Sequence, residues 1–145
     1  MLLHVIARGK IGRSPEADMV DRYARRMATG ALGPLRVTEL PDRGGQPPPV
    51  PAGPVRTVVL DERGRQLGSS EFARVLERWR DDGVREARFL IGAADGHDEA
   101  LRGNADLLLG FGPMTWPHML ARVMLVEQLW RATSILAGHP YHREG

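Results

Sequence analysis

The chain has 145 residues, a hydrophobic fraction of 42%, a charged fraction of 26% and a formal net charge of +2 at pH 7. These values predict a single globular domain over residues 1–145, and they exclude a general attraction to polyanions that rests on total charge alone. The absence of cysteine excludes disulfides, thiolate metal sites and a cysteine nucleophile.

The first half of the chain alternates strand and helix signals. Residues 2–9 predict an opening strand. Ser14, followed by a proline and an acidic residue, predicts the N-cap of a first helix. Residues 35–41 predict a second strand. The proline-rich stretch at 42–54 predicts an exposed loop with polyproline character, because proline fits neither a helix interior nor a central strand.

The second half continues this alternation. The predicted elements are a strand at 56–64, a helix with a serine cap at 69–83, a strand at 87–96, a short helix at 98–104, a strand at 105–112 and a last helix at 117–137. Strands that alternate with helices indicate an α/β fold with a mainly parallel sheet. Several strands are continuous apolar runs, which is typical of strands covered on both faces.

Three of the predicted strands end in sharp turns or small residues. The third strand ends near Leu60, the fourth is followed by Gly92, and the fifth by Gly110 and Gly112. In open α/β sheets, ligands bind beyond the carboxyl ends of the strands, and small residues let a ligand approach the backbone closely. We therefore expect a pocket rim there. The sequence contains no GxGxxG, Walker A, HExxH or GxSxG motif.

The last predicted helix is apolar around most of its circumference. Its polar residues Glu127, Arg131 and Ser134 fall on one narrow stripe. Such a helix is buried on two sides, and a single sheet supplies only one of them. We therefore expect a second subunit to cover the other side. Arg122 lies away from the stripe, and two interpretations stay open: a side chain that snorkels at the interface edge, or a functional group.

Read together, the motifs resemble one known family. The stretches that carry the resemblance are LDERG, FLIGAADG, LLLGFGPMTWPHMLARVMLVEQLWRA and GHPYHRE, in that order along the chain. They resemble the RlmH-type methyltransferases of the SPOUT class. The resemblance implies an α/β fold with a C-terminal trefoil knot, a feature otherwise almost absent from proteins. It also implies a homodimer that methylates N3 of a pseudouridine in large-subunit (23S) ribosomal RNA, with the ribosome as partner.

The resemblance further implies S-adenosylmethionine as methyl donor, and no metal. The implied cofactor contacts are Leu60, Gly92, Ala93, Gly112, Pro113, Met114, Thr115, Trp116 and Pro117. The chain departs from the family's pattern in two places. It has Ala93 where the family commonly has a second glycine, and the short proline-rich loop where many relatives carry a long basic insert.

The C-terminal tail supplies the candidate catalytic residues that the resemblance implies. His142 can accept a proton near neutral pH. Arg143 can neutralise a phosphate or a developing negative oxygen, and Tyr141 can stack on a flipped base or donate a hydrogen bond. Arg122 and His139 are candidate substrate-binding residues, although His139 can equally be structural.

Two other functions stay open on the sequence. A non-catalytic RNA-binding or ribosome-associated protein on the same fold would explain Ala93 and the missing basic insert. A flavodoxin-like small-ligand domain would explain the alternating elements but not the tail. The sequence lacks a secretory signal and any apolar run near the ~18 residues that span a bilayer. We therefore expect a cytoplasmic protein without membrane or DNA partners.

Overall fold

The computed structural model of the protein describes residues 1–92 and 99–143. Its elements are β1 (Leu2–Arg8), α1 (Pro15–Met27), β2 (Leu35–Leu40), β3 (Val55–Arg65), α2 (Ser69–Asp81), β4 (Glu86–Ile91), α3 (Glu99–Gly103), β5 (Leu107–Leu109) and α4 (His118–Leu136). Their order agrees with the predicted one. The predicted fifth strand, 105–112, is longer than β5 because its ends form turns instead of pairing.

In the described part of the chain, the strands form one five-stranded sheet in the order β2-β1-β4-β3-β5. Every pairing is parallel, which confirms the predicted α/β class. The central strand β4 is buried along all six residues, as its apolar run predicted. Because all strands are parallel, their carboxyl ends lie along the same edge of the sheet.

Alternate residues of each strand face two different layers. One face carries Val5, Val58 and Phe89, and it packs against α1, α2 and α4 in the main core. The opposite face carries Ile6, Val59 and Leu90, with Leu101 of α3 packed against them. Helices therefore cover one face of the sheet broadly and the other only in part.

The proline-rich loop is anchored to the less covered face by a buried arginine. Arg88 of β4 donates from Nη1 to the Pro48 carbonyl and from Nη2 to the Pro49 carbonyl, both at 2.7 Å. The same guanidinium pairs with Glu86, which also contacts His4 of β1 at 3.3 Å. These buried charged groups replace an apolar cover at this end of the sheet.

The helix caps agree with the sequence prediction at α1 but not at α2. Ser14 caps α1, since its Oγ accepts from the Ala17 N–H at 3.1 Å. The predicted serine cap of α2 is wrong. Gly68 is the N-cap, and its N–H donates to Glu71 Oε1 at 3.0 Å. The Glu71 carboxylate thus satisfies the N–H of the N-cap residue, whereas a serine hydroxyl at the N-cap would have accepted an N–H of the first helical turn.

The last helix is sandwiched, but largely within its own chain. α4 packs against α1, α2 and β4. Leu125, Val126 and Leu129 are fully buried there. α1 and α2 supply much of the second apolar surface that we expected from another subunit, so a smaller part of the helix is left for a partner to cover. Among the described residues, no helix combines the length and apolarity needed to cross a membrane.

Candidate active site

Three of the predicted cofactor positions meet at neighbouring strand ends. Leu60 of β3 pairs with Leu109 of β5. Gly92 directly follows β4, which is the other neighbour of β3, and Gly112 lies in the turn after β5. Ala93, predicted to join them, lies outside the described residues. The rim that the sequence predicted is therefore one continuous stretch of the carboxyl edge.

Two glycines of this edge pack backbone against backbone. β3 pairs with Leu109 twice, at Leu60 and again at Arg65, and the residues between them bulge outward. A Cβ on Gly64 would lie 2.6 Å from the Leu109 carbonyl carbon, and one on Gly110 would lie 2.9 Å from the Gly64 oxygen. The fold itself therefore requires both glycines to be small, which is a separate reason from the predicted approach of a ligand at Gly110.

The segment that joins β5 to α4 is open to solvent. Gly112 has φ of 105°, a left-handed conformation that favours glycine, and no atom lies within 4 Å of where its Cβ would be. The next five residues are exposed: Pro113, Met114, Thr115, Trp116 and Pro117. Open backbone beside a strand end fits a cofactor that is held mainly by main-chain groups.

Asp61 fixes α3 to the end of β3. Its carboxylate lies 2.7 Å from Arg102 Nε of α3, and it accepts the N–H of Arg63 at 2.8 Å. Asp61 and Arg102 are both largely buried. The acidic residue of the LDERG stretch therefore holds the elements around the predicted pocket together.

The C-terminal tail turns back along α4. Gly138, with φ of 71°, donates its N–H to the Ile135 carbonyl at 3.1 Å, and His139 donates to the Ser134 carbonyl at 2.9 Å. This pair of bonds, with a left-handed glycine after the helix, is a Schellman turn. It reverses the chain direction and brings the following residues over the last turns of α4.

Four side chains connect the tail to α4, and we call them the tail cluster: Glu127, Arg131, Tyr141 and His142. Glu127 Oε1 accepts from Arg131 Nη2 at 2.6 Å and from the Tyr141 hydroxyl at 3.1 Å. Arg131 Nη1 lies 3.0 Å from His142 Nδ1, and its guanidinium lies 5.0 Å from the centre of the Tyr141 ring. The tail is thus a packed part of the molecule and not a frayed end.

The electrostatics of the cluster follow from these contacts. The hydrogen bond to Glu127 outweighs partial burial and raises the pKa of Arg131. Burial, together with hydrogen bonds to Tyr23 and Glu127, raises the pKa of Tyr141 far above its ordinary value. A guanidinium has only donors, so His142 Nδ1 is the acceptor, and its partner assigns the proton of the neutral imidazole to Nε2.

The other two tail candidates occupy different positions. His139 is exposed, and its Nδ1 accepts the Tyr141 N–H at 3.2 Å while its ring lies 6.1 Å from that of Trp130. It shapes the turn of the tail. Arg143 is exposed at the end of the described chain. The structure therefore brings Tyr141 and His142 together on α4 and leaves Arg143 accessible.

Arg122 is buried, so of its two open interpretations the side chain that snorkels at an interface edge is wrong. Its side chain is 1% exposed. Nη1 donates to Glu39 Oε2 at 2.6 Å, and Nη2 donates to the Gly9 carbonyl at 2.9 Å. Glu39 also accepts the Ile11 N–H at 2.8 Å. Partial burial alone would raise the pKa of Glu39, but these hydrogen bonds lower it.

A cleft of about 500 Å³ connects the strand-end turn to the tail cluster. Its lining includes Gly112 from the turn after β5, Glu127 of the tail cluster, Tyr23 of α1 and Met124 of α4. Glu127 and Arg131 had no role in the sequence prediction beyond their place on the polar stripe. Their i,i+4 spacing, with the acid first, was the only local signal that they form a pair.

Comparison with known proteins identifies the family. The profile described as "Predicted SPOUT methyltransferase" matches residues 50–142, more than half of the chain. Three curated relatives, each named "Ribosomal RNA large subunit methyltransferase H", align over 145 residues with 100% coverage of both chains. They come from Novosphingobium aromaticivorans (77% identical), Rhizorhabdus wittichii (68%) and Erythrobacter litoralis (63%). The chain therefore belongs to the SPOUT methyltransferases, in the family whose curated members bear that name.

Proposed function

We propose that the protein transfers a methyl group from S-adenosylmethionine to N3 of a pseudouridine in large-subunit (23S) ribosomal RNA. The observation that carries the proposal is full-length similarity, up to 77% identity, to relatives named as large-subunit ribosomal RNA methyltransferases. The packed tail next to an open strand-end segment is consistent with a site that acts on a large substrate. Ribosomal RNA as substrate implies a cytoplasmic enzyme.

The carboxyl edge of the sheet is the proposed cofactor site. Leu60, Gly92 and residues 112–117 would hold S-adenosylmethionine, which supplies the methyl group when bound. The left-handed Gly112 and the exposed backbone after it support this assignment. Ala93 completes the proposed set.

A trefoil knot at this edge is also part of the proposal. The supporting observation is the contact between Gly64 and Gly110, where the bulge of β3 and the turn after β5 approach within backbone packing distance. Glycines at the point of contact let the two backbones approach closely, as they would where one segment passes another. A knotted C-terminal half would also bring the β5–α4 segment next to Leu60 and Gly92.

Chemically, methyl transfer to an imide nitrogen requires a nucleophile aligned with the methyl group and the removal of one proton. Most of the rate enhancement can come from positioning. We propose His142 as the group that accepts the N3 proton, and Arg143 as the cation that neutralises a phosphate or the developing negative oxygen. Tyr141 holds the tail on α4 through Glu127 and Arg131. Because Arg131 occupies His142 Nδ1, His142 must exchange this partner for the substrate before it can act as a base.

The active unit is proposed to be a homodimer. Apolar side chains stay exposed on α1, on α4 and in the segment before α4: Met19 and Leu120 are each 40% exposed, and Trp116 is 42% exposed. Met19 also lines the cleft that reaches Glu127. A second subunit that covers these residues would lie beside both the cofactor edge and the tail.

The proposed function is tested by a methyl-transfer assay on ribosomes. Purified protein is incubated with S-adenosylmethionine and ribosomes from cells that lack the enzyme, and digested 23S RNA is analysed by mass spectrometry. We expect new N3-methylpseudouridine that depends on the protein. If a folded protein that binds S-adenosylmethionine yields no methylated nucleoside, the catalytic proposal is wrong and a non-catalytic ribosome-associated role takes its place.

A further inference from the structure

The loops that follow β1 and β2 carry a concentration of positive charge. Residues 8–13 and 41–45 contain four cationic side chains, Arg8, Lys10, Arg13 and Arg43, against one carboxylate, Asp42. Lys10, Arg13 and Arg43 are exposed. We call these three residues the cationic edge. It contrasts with the whole chain, whose 20 basic and 18 acidic residues nearly cancel.

The two loops are tied to each other. Arg8 donates from Nη1 to the Pro41 carbonyl at 2.9 Å and also to the Gly44 carbonyl. The Gly9 N–H donates to the Leu40 carbonyl at 2.8 Å. Arg8 is therefore engaged in holding the second loop in place, and the three exposed cations are carried on a braced pair of loops.

The loops are also tied to α4 through Arg122. Its guanidinium joins the Gly9 carbonyl to Glu39, and Glu39 in turn holds the Ile11 N–H. The same pairing also reduces the negative charge beside the cationic edge. Arg122 pairs with Glu39 from the buried side and so compensates much of its charge, although Glu39 also attracts Lys10 of the edge.

The cationic edge lies beside the proposed cofactor segment. A Cβ on Gly9 would lie 3.4 Å from Met119 Cε and 3.6 Å from His118 Nε2, so the first loop touches the start of α4 directly after residues 112–117. β1 is also the sheet neighbour of β4, with Ala7 paired to Ile91 just before Gly92. The cations are therefore on the same edge as the predicted methyl-transfer site.

We propose that the cationic edge binds phosphates of the ribosomal RNA strand next to the target nucleotide, and that Arg122 is the positioning residue that holds this surface in register with the cofactor site. Exposed lysine and arginine side chains contact nucleic-acid phosphates without reading sequence, and such contacts fix the register of the substrate. This inference rests on the proposed function and adds where the RNA is held. Lys10 and Arg13 lie outside the proline-rich loop at 42–54, and Arg43 lies at its start.

The test compares two triple variants that change the net charge equally. K10Q/R13Q/R43Q removes the cationic edge. R36Q/R78Q/R85Q removes three exposed arginines far from the carboxyl edge: Arg36 near the start of β2, Arg78 in the last turn of α2, and Arg85 directly before β4. All six residues are exposed, and the melting temperature and cofactor affinity of each variant are measured first.

We expect K10Q/R13Q/R43Q to raise KM for ribosomes about tenfold or more, with kcat and S-adenosylmethionine affinity within about twofold of the parent protein. The salt dependence of RNA binding should fall by a slope of about 2, since each lost phosphate contact lowers it by about 0.7–0.9. R36Q/R78Q/R85Q should change neither KM for ribosomes nor the salt dependence of RNA binding. Arg122→Lys should raise KM in a similar way, while R122K combined with the edge triple should add little.

If the two triple variants raise KM equally, RNA affinity depends on overall charge and the proposal is wrong. An unchanged KM in K10Q/R13Q/R43Q would also overturn it. RNA binding is measured separately, by filter binding of a 23S fragment without cofactor. If the parent protein transfers no methyl group, the proposed function fails. The binding measurement still decides whether the cationic edge holds RNA.

Discussion

Among single residues, His142 is the proposed acceptor of the N3 proton. Its Nδ1 lies 3.0 Å from Arg131 Nη1, so the tail cluster holds the imidazole in a fixed position. We expect His142→Ala to lower kcat for methyl transfer at least about tenfold, the equivalent of about 1.4 kcal/mol, without changing S-adenosylmethionine affinity. Single-turnover kinetics and calorimetry measure the two quantities. Undiminished turnover would exclude His142 as the base.

Glu127 is the residue on which the tail cluster depends, since it binds both Arg131 and Tyr141. We expect Glu127→Gln to loosen the tail, because charge-assisted hydrogen bonds are about twice as strong as neutral ones. Hydrogen exchange of residues 139–143 should accelerate, and methyl transfer should fall about tenfold. Glu77→Gln, which breaks the surface pair with Arg74, is the matched control and should change neither.

Between elements, the bulge of β3 and the turn after β5 pack backbone against backbone. We expect Gly110→Ala to lower the free energy of unfolding by about 2 kcal/mol or more, because its Cβ would meet backbone oxygens at 2.9 Å and the backbone cannot step aside. Urea denaturation measures this loss. Gly103→Ala, where no atom lies within 4 Å of the added Cβ, should stay within about 0.5 kcal/mol. A tolerated Gly110→Ala would contradict the tight packing of the two segments.

His4, which contacts Glu86 in the buried polar group under the proline-rich loop, makes the stability of the fold depend on pH. Burial outweighs the attraction of Glu86 and lowers the pKa of His4 below its ordinary 6.5. Below pH 6.5 the unfolded chain therefore binds more protons at His4 than the folded chain does. The free energy of unfolding keeps its full contribution from His4 above pH 6.5 and falls as the pH decreases toward the lower pKa of the folded state.

The corresponding experiment compares urea midpoints at about pH 7.5 and about pH 5.5 for the parent protein and His4→Gln. We expect the parent to lose more stability over this interval, by at most about 1.4 kcal/mol per pH unit. Other titrating groups are common to both proteins and cancel in the difference. Identical losses would show that His4 is neutral or charged equally in both states.

For the molecule as a whole, subunit association follows from the apolar residues that the fold leaves uncovered. We expect the protein to sediment as a dimer at micromolar concentration and Leu120→Asp to shift it to monomer, because a charge would enter the proposed interface. Val50→Asp changes an equally apolar but more exposed residue of the proline-rich loop, and should leave the dimer intact. A monomeric parent protein would contradict the homodimer.

The fold was predictable from the sequence where local signals were strong. The prediction failed where a feature depends on pairing between distant segments. Ser14 and its proline specify the start of α1 by local chemistry alone. The predicted third strand at 56–64 agrees with β3, but its bulge between Leu60 and Arg65 was not predicted, because the register depends on pairing with the distant β5. Similarly, Arg122 resembled a surface residue because its partners, Gly9 and Glu39, lie far away in the chain.

The sequence by itself determined the order of strands and helices and the family, because hydrophobic periodicity, caps and contiguous motifs are local properties, and it predicts the carboxyl edge as the place for a ligand. Only the tertiary structure decided which polar side chains are buried and which residues they contact. The tail cluster, the buried Arg122 and the packing of Gly64 on Gly110 each join segments that are distant in sequence. Such contacts depend on sheet order and helix packing, and these are set by the whole chain at once.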